Sequence, residues 1–176
     1  NGTVILPPVY QTVLCQRRFF HVYKDDLEGA CDLKGKLVLQ PIYEWIGAKG
    51  NGMGFLKNGK FGFANVQGKV VHQAIFDQII EEGGLLVVRK NGLLGILDAD
   101  GKWVHQPIFS EVETGSGEVT KVKKGNFWGA VDLNGKQIVP CIYEKISNFD
   151  EGTAYGIIGV NAYSFDLKHQ RKEVLL

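Results

Sequence analysis

The chain has 176 residues, 44% of them apolar and 22% charged, and its 20 basic and 19 acidic side chains leave a net charge of +1. This length and composition fit one folded domain and exclude a disordered chain. The balanced charge gives no electrostatic signal for nucleic acid, and no apolar run approaches the roughly 18 residues of a membrane span. We therefore expect neither nucleic-acid binding nor membrane insertion.

Three cysteines, Cys15, Cys31 and Cys141, occur without CxxC spacing. An odd number of widely separated cysteines argues against a disulfide framework or a zinc site. We therefore predict reduced cysteines that fill small spaces in the core.

Glycine accounts for 23 residues, nearly double its usual share of about 7%, and it marks a repeat of about 33 residues. In each repeat an anchor glycine precedes a lysine, an aromatic residue follows eight positions later, and an aliphatic residue comes three positions after that. The four sets are Gly35, Tyr43 and Ile46; Gly68, Phe76 and Ile79; Gly101, Phe109 and Val112; and Gly135, Tyr143 and Ile146. We predict a single repeat domain over residues 1–176, with copies at about 1–14 (partial), 15–47, 48–80, 81–113, 114–147 and 148–176 (degenerate).

Two turn signals recur along the chain. The first is a tight hairpin turn, in which Asn-Gly is the strongest signal because a type I′ turn needs positive φ at both central residues. It occurs at Asp25-Asp26, Asn58-Gly59, Asn91-Gly92 and Gly125-Asn126. The second is a type I turn with Asp or Asn three residues before the anchor glycine, at Asp32, Asn65, Asp98 and Asp132. These turns predict at least a three-stranded antiparallel meander in each copy, with strands near 85–90, 93–98 and 102–106 in the third.

The segment PIFSEV, which starts at Pro107, is interpreted as a fourth short segment that can pair at the sheet edge. Pro107 confines it to a strand start or a bulge. Helical repeats of similar length are excluded, because there is no sustained i, i+3, i+4, i+7 apolar stripe and glycine recurs through most of the chain. The sequence therefore predicts an all-β fold.

The stretch NFWGAVDLNGKQIVPCIYEKI, from Asn126, resembles the bacterial WG repeat, whose usual form is close to KWGFID-x-x-GK-x-x-I-P-x-Y-D-x-V. Only Trp128-Gly129 carries the WG pair; Phe61-Gly62, Leu94-Gly95 and Glu28-Gly29 depart from it at the first position. The resemblance covers about residues 2–160. It implies a bacterial protein that mediates binding, and it carries over no catalytic residue. Since no signal peptide is visible, a soluble protein of the cytoplasm or the cell envelope is expected.

The repeats predict one of two architectures, because units of this kind bury their faces only by stacking on neighbours. Stacked copies either close into a β-propeller or form an open twisted β-solenoid. The chain begins with a third-strand segment and ends with a degenerate copy of the first strands. The last segment can therefore supply the strands that the first partial copy lacks. This favours a small five-bladed β-propeller. The solenoid is the alternative, since about 33 residues is short for a four-stranded blade.

One candidate binding surface lies around residues 45–54. The position two residues after the repeat aromatic is polar in the other copies but is occupied by Trp45 here, and an exposed tryptophan is a common interface anchor. The following GNGMG stretch, residues 50–54, opens no helix, so it is interpreted as a flexible connection rather than a phosphate loop. We predict a partner-binding surface formed by Trp45, Lys49, Asn51 and Met53.

His72 and His105 share a position four residues after an anchor glycine. Two imidazoles at repeated positions are candidate ligands for a metal or an anion, but a hydrogen-bonded histidine on an apolar strand is the favoured interpretation. The acidic and amide residues of the type I turns are better explained as caps of the turn backbone than as calcium ligands. We therefore predict no metal and no cofactor.

No serine or cysteine nucleophile and no carboxylate pair stands in a recognisable catalytic frame, so we predict a non-enzymatic module. The function we expect is protein–protein interaction, through loops and exposed aromatics on one face of a rigid β-repeat scaffold. The alternative is a carbohydrate or cell-wall binding domain, in which aromatic rings stack on sugars.

Overall fold

A computed structural model describes residues 4–16, 18–82, 84–114, 119–132, 134–150, 152–166 and 172–174. Over these residues the chain is all-β, without helices, and forms five four-stranded antiparallel sheets. In each sheet the strands are ordered as in the chain, so each sheet is a meander. The prediction of five antiparallel β-meander repeats is confirmed, and the choice between a closed ring and an open solenoid stays a prediction.

Within the described ranges, twenty strands make up the five sheets. The first sheet contains β1 (Thr12–Cys15), β2 (Phe20–Lys24), β3 (Leu27–Cys31) and β4 (Leu37–Tyr43). The second contains β5 (Trp45–Lys49), β6 (Gly52–Lys57), β7 (Lys60–Asn65) and β8 (Val70–Phe76). The third contains β9 (Gln78–Glu82), β10 (Leu85–Lys90), β11 (Leu93–Leu97) and β12 (Trp103–Phe109). The fourth contains β13 (Glu111–Thr114), β14 (Val119–Lys124), β15 (Phe127–Asp132) and β16 (Gln137–Tyr143). The fifth contains β17 (Lys145–Ile146), β18 (Thr153–Ile158), β19 (Asn161–Asp166) and β20 (Lys172–Val174).

The segment PIFSEV does not form the separate edge strand that the sequence predicts. The segment PIF continues β12 instead of forming a strand of its own, and the next residues, from Glu111, begin β13 of the following sheet. Pro107 is tolerated there because β12 is an edge strand and its register against β11 shifts between the Leu94 and Ile96 pairs. One residue therefore separates consecutive sheets, at Glu44, Asp77, Ser110 and Glu144.

The predicted hairpin turns have the backbone geometry that their residues favour. Asn58 and Gly59 have φ of 53° and 70°, and Asn91 and Gly92 have 53° and 80°, as a type I′ turn requires. The type I turns also form, since the amides of Gly35, Gly68 and Gly135 donate to the carbonyls three residues earlier. Both predicted turn signals are confirmed at these positions.

The stretch 50–54 is not a flexible connection, which corrects the sequence interpretation. Gly52 begins β6, and only Gly50 and Asn51 form the turn between β5 and β6. Gly50 has a φ of +51°, and a Cβ added to it would lie 2.6 Å from the Ala99 carbonyl oxygen. Glycine is thus required there by both the backbone and the close neighbour.

The chain divides into two compact units, Asn1–Ile80 with Ala99–Lys102 and Glu81–Asp98 with Trp103–Leu176. In the first unit the core lies between the first two sheets, where the Tyr43 ring stacks against Phe55 at 4.6 Å. In the second unit the core lies between the fourth and fifth sheets, where Tyr143 packs edge-on against Phe165 at 4.9 Å. The repeat aromatic thus reaches across to the next sheet in both units.

The cysteine prediction holds for one residue of three. All three cysteines are free thiols. Cys31 is fully buried in β3, whereas Cys141 is half-buried and Cys15 is exposed on β1. Cys15 is not a core residue, because all four residues of β1 are exposed.

Candidate binding cleft

A cleft of about 770 Å³ opens in the first unit, at the end of the sheets that carries the turns before β2, β6, β8 and β12. Its charged lining residues are the cations Arg18, Lys69 and Lys102 and the carboxylate Asp100. Amide side chains and a short aliphatic patch complete the wall: Asn51, Asn65, Gln67, Val66, Val70 and Val71. The charged groups of the cleft are thus mainly cationic, although the whole chain is almost neutral.

Arg18 fixes one side of the cleft. Its Nη1 donates to the Gly50 carbonyl at 2.9 Å and to Asn51 Oδ1 at 3.1 Å. These bonds attach the segment before β2, in the first sheet, to the β5–β6 turn of the second sheet. Because a guanidinium carries five N–H donors in a planar fork, this use of Nη1 leaves further donors on the same group.

Asn51 ties the same turn to the third repeat. Its backbone amide donates to the Ala99 carbonyl at 2.7 Å, and its Nδ2 donates to Asp100 Oδ1 at 3.1 Å. One side chain therefore accepts from Arg18 and donates to Asp100. Through Asn51, segments from three consecutive repeats are held together within the first unit.

The turn before β8 forms another part of the wall and is fixed by local hydrogen bonds. Asn65 Oδ1 accepts from the backbone amides of Gln67 at 3.1 Å and Lys69 at 2.9 Å. At Gly68, with a φ of +81°, an added Cβ would lie 1.9 Å from the Val38 carbonyl oxygen, so the turn packs directly on β4. The wall is therefore held in one conformation by the turn and by the sheet behind it.

Of the four residues predicted to bind a partner, the structure places only Asn51 in the cleft. Met53 has 0% of its surface exposed and packs in the core between the first two sheets. Its position in the predicted surface is wrong, because strand alternation turns Met53 and Phe55 to the face that the first sheet covers. A partner of the folded protein has no access to Met53.

Trp45 and Lys49 lie on the other face of the β5–β6 hairpin and are half-buried. The Trp45 ring covers a glycine pair, since an added Cβ would meet it at 2.2 Å on Gly47 and at 3.4 Å on Gly54. Its far edge approaches Phe61, with ring centroids 6.0 Å apart. Because Trp45 begins β5 whereas Asn51 follows its end, these two predicted residues lie at opposite ends of the strand.

The two repeated histidines bond to the anchor turn of the following repeat. His72 Nε2 lies 2.7 Å from the Gly101 carbonyl, and His105 Nε2 lies 2.5 Å from the Gly135 carbonyl. A carbonyl only accepts, so each Nε2 carries the proton and donates. The Nε2 atoms of both histidines are therefore engaged in structural bonds. The described residues contain no group of three or more potential metal ligands.

A second polar cluster lies inside the first sheet, where Glu28 replaces the tryptophan of the WG pair. Glu28 Oε2 lies 2.7 Å from His21 Nε2 and accepts from the Ile46 amide at 2.5 Å. Burial, followed by the charge of Glu28 and a hydrogen bond to it, raises the pKa of the Tyr23 phenol. Glu28 therefore joins its own sheet to the first strand of the next.

Sequence reasoning missed most of the cleft. Arg18 and Asp100 do not recur as residue types: one residue before the anchor glycine, where Asp100 stands, the other copies have Lys34, Gln67 and Asn134. Periodicity therefore gave no signal for them. Lys69 and Lys102 did have a signal, because a lysine follows every anchor glycine, as Lys36 and Lys136 do elsewhere. That recurrence indicated a cation at one end of each sheet.

Sequence reasoning also missed the polar residue that follows the repeat aromatic. Glu44 Oε1 accepts from the Asn58 amide at 2.5 Å, and Glu144 Oε1 accepts from the Gly159 amide at 3.1 Å. Ser110 Oγ donates to the Gly125 carbonyl at 3.3 Å. These three connectors thus bond to the hairpin turn of the sheet that follows them.

Five meanders of one repeated pattern define the chain as an all-β repeat scaffold. The WG containing repeat family matches residues 29–60, 61–93 and 128–158, together more than half of the chain. The chain therefore belongs to the WG containing repeat family, as the sequence resemblance indicated. No curated protein matches the chain.

Solved structures with similar folds share little sequence with the chain. Hsv2 of Kluyveromyces lactis with its complete loop 6CD is 13% identical over 93% of this chain and 63% of that one, with a TM-score of 0.39. PorZ of Porphyromonas gingivalis is 9% identical over 91% of this chain and 27% of that one, with a TM-score of 0.40. The extracellular domain of BT4673 from B. thetaiotaomicron is 7% identical over 96% and 31%, with a TM-score of 0.36. The chain spans less than two thirds of each of these proteins.

Within the part of the chain that the structure describes, no helix is long and apolar enough to cross a membrane.

Proposed function

We propose that the chain is a non-enzymatic module that binds another protein. The observation that carries this proposal is the cleft of the first unit, whose lining combines charged side chains with three valines. Arginine is enriched in protein interfaces, which combine polar and apolar contacts. The cleft is also pre-organised by the Arg18–Asn51–Asp100 contacts, which reduces the entropy lost on binding.

Carbohydrate binding, the alternative that the sequence left open, has less support. Sugar recognition by stacking needs an open aromatic face, and none of the described residues that line the cleft is aromatic. The Trp128 ring lies under the ammonium groups of Lys121 and Lys123, at 5.6 and 5.2 Å, and Trp45 lies across its glycine pair. These contacts favour a protein over a glycan as the partner.

The proposal is tested by affinity capture from the lysate of the native host, with the whole chain as bait. A captured protein is then purified and its complex with the chain is measured by size-exclusion chromatography with light scattering. We expect a stoichiometric complex that Asn51→Ala weakens. Trp45→Ala serves as the comparison, because its ring lies outside the cleft.

Two results would count against the proposal. One is the absence of any protein that re-forms a stoichiometric complex with the chain. The other is retention of the chain on oligosaccharide or cell-wall fractions together with quenching of tryptophan fluorescence, which would favour the carbohydrate alternative.

A further inference from the structure

We infer that the cleft of the first unit recognises an acidic, extended peptide segment of the partner. This inference rests on the proposed function and adds the chemistry of the partner. It starts from charge, because the described lining residues include three cations, Arg18, Lys69 and Lys102, and one carboxylate, Asp100. The chain carries a net charge of only +1, so the cleft concentrates positive charge.

Two cations of the cleft, Arg18 and Lys69, have donors left for a ligand. For Lys69 the part of the chain that the structure describes offers no carboxylate within ion-pair distance. Arg18 uses Nη1 for Gly50 and Asn51, and its remaining N–H groups suit a carboxylate, which a planar guanidinium binds through two parallel bonds. Asp100 accepts from Asn51, which partly satisfies the one acidic group of the lining.

The aliphatic part of the cleft lining favours a peptide over a nucleic acid as the ligand. Val66, Val70 and Val71 offer aliphatic contact, and Val71 is 36% exposed. Single-stranded nucleic acids bind through aromatic stacking in addition to charge, and the lining of this cleft, as far as the structure describes it, contains no aromatic side chain. In an extended peptide, successive side chains point to opposite sides, so alternating acidic and aliphatic residues can address the cations and the valines in turn.

The walls are set before any ligand arrives. Asn65 holds the turn that carries Lys69, and the Gly101 turn, next to Lys102, packs so closely on Phe63 that an added Cβ would lie 2.3 Å from its ring. The two lysines thus stand on fixed turns of successive repeats. Binding an acidic peptide there needs only the ordering of long side chains.

The test uses the whole chain and two fluorescein-labelled octapeptides. One alternates glutamate with valine, and in the other every glutamate is replaced by glutamine. Fluorescence anisotropy measures binding at about 50 and about 300 mM NaCl, because screening distinguishes charge pairing from apolar contact. We expect the glutamate peptide to bind about tenfold or more tightly than the glutamine peptide, with weaker binding at high salt.

The variant that addresses the site is Lys69→Gln with Lys102→Gln. Its matched control is Lys36→Gln with Lys136→Gln, which removes the same repeat lysines outside the cleft. We expect the first pair to weaken binding of the glutamate peptide about tenfold and the control pair to leave it unchanged. Equal losses in both pairs, or equal binding of the two peptides, would overturn the inference.

Displacement of the peptide by inorganic phosphate or by an oligonucleotide at lower concentration than by unlabelled peptide would also overturn it, in favour of a phosphate site. Failure of the inference and failure of the proposed function give different results. A captured protein that binds the Lys69→Gln, Lys102→Gln variant as well as the unchanged chain refutes the acidic-peptide site and keeps the protein-binding module. Capture of glycans alone refutes the module itself.

Discussion

At the scale of single residues, the two faces of the β5–β6 hairpin have different roles. Met53 lies in the core, whereas Lys49, its near neighbour on β5, lies on the opposite face of the hairpin. We expect Met53→Ala to lower the free energy of unfolding by about 2–5 kcal/mol, because it leaves a cavity. Lys49→Ala should change it by no more than about 0.5 kcal/mol. Urea denaturation followed by fluorescence measures both, and similar values would contradict the assignment of Met53 to the core.

The cysteines should differ in reactivity in the same way. Burial raises the pKa of the Cys31 thiol, and the hydrogen bond with Tyr10 only partly opposes this effect. Since the thiolate is the reactive form and Cys31 is inaccessible, we expect iodoacetamide to modify Cys15 first in the folded protein. Cys31 should react only in denaturant. Mass spectrometry of peptides after timed labelling gives the order of modification. Early modification of Cys31 would contradict its burial in β3.

At the scale of strands and turns, the anchor glycines serve close contact between sheets as well as turn geometry. Gly68 and Gly92 have nearly the same φ, +81° and +80°, but only Gly68 has a neighbour, the Val38 carbonyl oxygen, 1.9 Å from where a Cβ would lie. We expect alanine at either position to lower the free energy of unfolding by about 1–2 kcal/mol, because of backbone strain. Gly68→Ala should lower it further, because β4 must also move.

The Gly68 and Gly92 variants form a matched pair, since subtracting their free energies of unfolding removes the shared cost of positive φ. Thermal and urea unfolding of both proteins give the difference. If Gly92→Ala is as destabilising as Gly68→Ala, the packing of the turn on β4 contributes nothing measurable.

The strands and turns were predictable because their signals are local. Asn58-Gly59 specifies its own turn, and the repeat aromatic reveals its role by recurring at fixed spacing. Met53 could not be placed in the core while the glycines around it predicted a loop. These glycines serve close contacts that single positions do not reveal: an added Cβ would lie 2.3 Å from the Ala64 carbonyl oxygen at Gly52 and 3.0 Å from Lys49 Cγ at Gly54. The cleft was least predictable, since Asn51 and Asp100 are 49 residues apart and occupy unequal positions in their copies.

At the scale of the whole molecule, stability should fall in strong alkali. Burial raises the pKa of the Tyr43 phenol, and burial is also the largest cause of the raised pKa values of Tyr10 and Tyr23. A folded-state pKa above the unfolded value of about 10 means that folding favours the neutral phenol. This contribution is fully present below about pH 10 and is lost as the pH rises through the folded-state pKa values.

We therefore expect the free energy of unfolding to decrease from about pH 10 upward, and Tyr43→Phe to make that decrease shallower. Phenylalanine keeps the ring that stacks on Phe55 at 4.6 Å but has no proton to lose. Urea denaturation at about pH 8 and about pH 11 measures the difference for each protein. Lysines also lose charge in this range, so the comparison that matters is between the variant and the unchanged chain. If the two decrease in parallel, the Tyr43 phenol ionises equally readily in the folded and unfolded states, and its burial in the core of the first unit would be contradicted.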